Sequence, residues 1–146
     1  MENMTKERLV QYMDLIQERK ELRIRVDKIQ QQIEDIETEG AVVDKVAGGL
    51  GGIQSFRIEG FPYPEYSRKK TLLRVRQANL QELEERITED LIAIEYFIAA
   101  IPDSHIRRII SMRAIDGLTW NEVADRMGGG NSEDSVRMAF NRYMKS

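Results

Sequence analysis

The stretch GLTWNEVADRMGGGNSEDSVRMAFNRY, Gly117 to Tyr143, decides how the C-terminal third of this chain folds. Thr119 is an N-cap residue and Glu122 stands three positions later, the spacing of a capping box. Trp120, Val123, Ala124 and Met127 then fall on one side of a short helix. Gly128, Gly129 and Gly130 end it. A further helix opens at Ser132 or Glu133 and runs to about Lys145, with Val136, Ala139, Phe140 and Tyr143 facing inward. Upstream, Ser104 is the expected cap of a helix over His105–Ile115, and Asp116-Gly117 is a turn signal. Three helices with small apolar faces are stable only when packed on one another.

The chain before Pro102 has a different pattern. Thr5 to Thr38 holds neither glycine nor proline, and Leu15, Leu22, Ile29 and Ile36 recur every seventh residue. Val26 and Ile33 add a second line, and Leu9, Tyr12, Met13 and Ile16 begin the face. Arg19 interrupts it. Leu73, Leu80, Ile87, Ile94 and Ile101 repeat the seven-residue spacing, widened by Leu83, Leu91, Phe97 and Ile98. Ser67 is the expected cap of this second helix, and Pro102 ends it near Ile101. Each helix is about 50 Å long at roughly 1.5 Å per residue. A lone helix buries nothing, so each stripe needs a partner. The nearest partner is the other helix, in an antiparallel hairpin. The competing solution is pairing between chains, as a homodimer or higher oligomer. The expected fold is all-α: a long coiled-coil-like antiparallel hairpin over 1–101, then a three-helix helix-turn-helix unit over 102–146.

The connecting segment, 40–67, is rich in glycine and proline, which stop helices. Ile53, Phe56, Ile58 and Phe61 are read as a short strand, an apolar plug or a tip ordered by a partner. The densest positive run follows: Arg68, Lys69, Lys70, then Arg74 and Arg76. It is either a secondary contact for phosphate or acidic protein, or a solvated helix start. The second reading is preferred, because cations do not suit a helix N-terminus. The glycine turn is no phosphate loop, since it lacks the Gly-Lys-Ser/Thr ending.

Composition narrows the function classes. Of 146 residues, 41% are hydrophobic and 32% charged, and no run approaches a membrane span. There is no cysteine, so no thiol nucleophile, disulfide framework or zinc–cysteine cluster is expected. A cytoplasmic location is expected. No enzyme is expected either. The single histidine, His105, has no matched partner, and acidic pairs such as Glu84-Glu85 sit at adjacent positions that do not face each other. No metal or cofactor is expected. The net charge of −3 argues against a sequence-blind DNA coat. Residues 102–146 carry seven Arg/Lys against six Asp/Glu, net +1.

Two short helices around a glycine turn, the second opened by small polar residues, match a helix-turn-helix pattern. The later helix is then the reader of double-stranded DNA. Its expected contacts are Ser132, Asp134, Ser135, Arg137, Met138, Asn141, Arg142 and Lys145. Gly117, Thr119, Trp120, Glu122 and Ala124 have structural roles. Ala124 sits at the close helix crossing, where a larger side chain would push the helices apart. Trp120 is in register with Val123 and Met127, so a core role is preferred over base stacking.

SMRAIDGLTWNEVADRM followed by DSVRMAFNRYM resembles region four of bacterial sigma factors. Gly117, Leu118 and Thr119 match that family's turn and cap. Glu122, Val123 and Ala124 match its first helix, and Val136, Arg137 and Arg142 its reader. With a coiled N-terminal part, the whole chain is similar to small phage and prophage regulators of the RinA or ArpU kind. The resemblance covers about 45 residues. It implies promoter-type duplex recognition, with RNA polymerase as a further partner. The turn GGGN is longer than the family's usual one, and Glu133 and Asp134 stand where phosphates would approach. Weak DNA binding, or binding beside another protein, follows from that charge. The alternatives are a small terminase-like DNA-packaging subunit and a helical adaptor without direct DNA contact.

Overall fold

The computed structural model describes residues 3–48 and 60–145, with side chains described for 3–40 and 60–145. Every regular element among them is helical. Helices α1 (Lys6–Gly48) and α2 (Tyr63–Ala99) form a long antiparallel pair. Helix α3 (Ser104–Ile110) runs into one π-helical turn (Ser111–Ile115), and α4 (Trp120–Met127) and α5 (Glu133–Lys145) complete the chain. The expected all-α fold, a hairpin followed by a compact helical region, is the one observed.

Two compact units divide the chain. The first comprises Met1–Arg19 and Leu83–Ser146. Leu9, Tyr12, Leu15, Ile87, Ile94, Ile98 and Ile101 are buried in it, together with Ile109, Ile110, Val123, Val136 and Phe140 from the short helices. Helices α3, α4 and α5 pack on one another. Arg8 lies 3.8 Å from Asp90, which fixes the antiparallel sense of the long helices here. Burial pushes the Tyr12 hydroxyl above its usual range. Arg19, the break in the stripe, is half-buried and its Nε has no partner.

The second unit is Lys20–Glu82. Val26, Ile29, Ile33 and Ile36 are buried along α1, while Leu22, Leu73 and Leu80 are half-buried. Lys69 Nζ donates to Gln32 Oε1 at 3.1 Å.

Both edges of the connecting segment differ from expectation. Helix α1 does not stop near Thr38 but continues through Gly40 to Gly48. One interior glycine costs a helix only about 1 kcal/mol, and this one has a packing use. A Cβ on buried Gly40 would stand 2.8 Å from Phe61 Cδ2, so the ring occupies the space a side chain would take. Phe61 also packs on Tyr63 and Tyr66, with ring centroids 4.5 and 5.4 Å apart. Phe61 is thus packed; Ile53, Phe56 and Ile58, read with it as a strand, plug or tip, lie outside the described residues. Helix α2 begins at Tyr63, so Ser67 is an interior residue rather than the cap. Pro64 is tolerated because the first helical turn has amide groups without intrahelical partners.

Two further boundaries shift. The cap of α3 is Asp103, whose Oδ1 accepts from His105 N at 2.8 Å, so Ser104 is the first helical residue. The expected α-helix over His105–Ile115 widens after Ile110 into the π turn, where Asp116 N donates to Ser111 O across five residues. Its end is tied down by Arg113, whose Nη1 donates to Leu118 O at 2.9 Å.

Candidate nucleic-acid interface

The site rests on how α4 is started and stopped. Thr119 Oγ1 accepts from Glu122 N at 3.2 Å, and Glu122 Oε1 accepts from Thr119 N at 3.1 Å. This is the expected capping box, and it satisfies two backbone donors that a helix start leaves free. The Thr119 backbone N–H, then its hydroxyl, hold the Glu122 carboxyl below its ordinary value of 4.5. A depressed folded-state value means that the contribution is complete above the unfolded value and is lost as pH falls through the folded one. Thr119→Ala removes the N-cap hydroxyl and is expected to cost about 1 kcal/mol. The stability gap between wild type and Glu122→Gln should shrink as pH drops below about 4.5. Urea unfolding followed over a pH series measures it, and a gap that stays constant into acid contradicts the assignment.

Gly128 closes α4 at φ 63° and ψ −159°, a region that side-chain-bearing residues scarcely enter. A Cβ there would meet nothing within 4 Å, so the backbone angle and not crowding demands glycine. Gly129 and Gly130 also have positive φ. Asn131 completes the reversal: its backbone N and its Nδ2 both donate to Gly128 O, at 3.1 and 2.6 Å.

Helix α5 opens on a reciprocal pair of serines. Ser135 N donates to Ser132 Oγ at 3.1 Å, and Ser132 N donates to Ser135 Oγ at 2.8 Å. Ser135 Oγ in turn donates to Ser132 O at 2.9 Å. The two hydroxyls named as DNA contacts are therefore engaged in building the helix start, although both residues remain exposed. Val136 and Phe140 face the core, and Ala139 and Tyr143 are half-buried behind them. Tyr143 lies 6.4 Å from Phe97 of α2, ring to ring.

The outward side of α5 carries Asp134, Met138, Arg142 and Lys145, all exposed. Arg137 sits on the flank, paired at 2.5 Å with Asp134. Asn141 is half-buried and lines a cavity beside the first turns of α1, so it is not on the open face with Met138. The expected alignment of Ser135, Met138 and Asn141 along one open side thus breaks at Asn141.

Trp120 is half-buried, with its ring centroid 5.1 Å from that of Phe140 and the Arg113 guanidinium 4.7 Å above its face. It braces α4 against α5. Ala124 is buried, as its structural role requires. Sequence reasoning missed Arg113 as a structural residue. Its only signal was a cation seven positions before an aromatic. In the other unit, the basic run is partly engaged: Lys69 pairs with Glu65 and Gln32, and Lys70 lies 5.0 Å over the Tyr66 ring. Arg68 and Arg74 are exposed.

Among the described residues, no cluster of three or more His, Cys, Asp or Glu is placed to hold a metal ion, and no helix is long and apolar enough to cross a membrane. No family model, curated protein or solved structure matches the chain.

Proposed function

We propose that this protein is a non-enzymatic, cytoplasmic DNA-binding regulator of the phage or prophage kind, reading duplex DNA through α5 in the manner of sigma region four. RNA polymerase is the further partner this reading implies, and the long helices are the route to self-association. The observation that carries it is the outward side of α5. Met138, Arg142 and Lys145 are exposed on a helix braced from behind by Val136 and Phe140, with Arg137 exposed at its flank. A rigid helix presenting cations and one apolar side chain has the chemistry for phosphates, base edges and a thymine methyl. A packed cap in an adaptor has no need of that face.

Glu133 and Asp134 temper the affinity, so binding should be weak, with a salt dependence set by the few cations of α5. Anisotropy of labelled duplexes between about 50 and 200 mM salt tests this. Wild type should bind at the low end and lose affinity linearly on logarithmic axes. Arg142→Ala should reduce that slope by about 0.9 if Arg142 contacts a phosphate, weakening all sequences equally. No binding by wild type at the lowest salt would remove the proposal.

A further inference from the structure

The first unit contains a cavity of about 130 Å³. Leu9 and Met13 of α1, Ala114, Trp120 and Phe140 give it apolar walls. An engineered cavity of about 150 Å³ with similar walls holds benzene. One ring or one branched aliphatic group therefore fits, whereas ligands of cofactor size occupy roughly 300–1,000 Å³.

Its charged lining residues are all of one sign. Lys6, Arg113 and Arg137 line it together with the Asn141 amide, and no lining residue is acidic. Arg113 is held in advance by the Leu118 carbonyl at 2.9 Å and the Trp120 face. A guanidinium so fixed loses little freedom on meeting an anion, and half-burial strengthens its field. Arg137 pairs with Asp134, which is exposed enough to yield that partner.

The geometry points to a binding site for a small carboxylate with an aromatic or branched aliphatic body. The body occupies the apolar walls and the carboxylate meets the three cations. Resting on the DNA-reading proposal, a second consequence follows. The ligand engages Arg137, an expected reader residue that is exposed at the flank of α5, so it antagonises duplex binding, and duplex weakens the ligand by the same factor.

Trp120 is the chain's single tryptophan, so its indole N–H resonance reports the site in the full-length protein. Benzoate is the probe and benzyl alcohol its neutral counterpart, at constant ionic strength. Benzoate should shift the resonance saturably. Benzyl alcohol should bind about tenfold more weakly or less, and Arg137→Gln should lose about tenfold for benzoate, as expected for one hydrogen bond to a charged group. Val10→Phe, at the half-exposed mouth, should block the shift while circular dichroism stays unchanged. A response that is absent, equal for the neutral probe, or unaltered by Arg137→Gln overturns the site. Duplex affinity unchanged by saturating benzoate overturns the antagonism. Absence of duplex binding by wild type overturns the DNA reading and the antagonism with it, while the site stands or falls on the duplex-free titration.

Discussion

Phe140→Ala is expected to cost about 3–5 kcal/mol, a large part of the roughly 5–15 kcal/mol that holds a domain of this size together. Phe140 is 4% exposed, although it sits on a helix whose opposite side is open. Its ring packs on Trp120 and lines the cavity that Leu9 and Ala114 also border. Truncation removes the burial and the ring contact, and the new void merges with one already present. The walls have little means of collapsing to fill it, and a cavity left open adds to the cost. Met138→Ala is the control. Met138 is 55% exposed on the same helix, so its loss should stay within about 0.5 kcal/mol. Urea unfolding followed by circular dichroism compares the two. A Phe140→Ala loss below about 1 kcal/mol would mean that α5 is not anchored through this ring.

Arg137→Ala should leave the fold intact and weaken specific duplex binding by about 1–3 kcal/mol, if the guanidinium reads a guanine edge. The side chain is 46% exposed, and its ion pair with exposed Asp134 is worth at most about 1 kcal/mol to the fold. The base-reading case concentrates the loss at one base pair. The phosphate case spreads it over all sequences and lowers the salt slope by about one. Asp134→Asn separates the pair from the contact. It frees Arg137 and removes a carboxylate from the approaching polyanion, so it should tighten binding. Weaker binding by Asp134→Asn would show instead that the carboxylate holds Arg137 in its reading position or itself accepts from a base. An Arg137→Ala protein that binds every duplex as wild type does would take Arg137 out of the interface.

What could be read from the residues alone was what neighbours in sequence decide. The seven-residue recurrence of Leu15, Ile29 and Ile36, and of Ile87, Ile94 and Ile101, placed those side chains on stripes that had to be covered, and they are buried. The Thr119–Glu122 box, the Gly128 stop and the Pro102 break were legible because caps and breakers act within a few residues. Tertiary packing decided the rest. Gly40 continues a helix because the Phe61 ring, brought back by the chain reversal, takes the room of its missing side chain. Asp103 and Ser104 are both competent caps, and the fold selects the aspartate. Ser132 and Ser135 have the residue types of DNA contacts, yet their hydroxyls serve each other's backbone. Lys6, Arg113 and Arg137 are more than a hundred positions apart from first to last, and no local pattern links them. They share one cavity because Leu9 and Met13 of α1 line it together with Ala114, Trp120 and Phe140, and a charge at the rim of a core goes where the core's burial carries it.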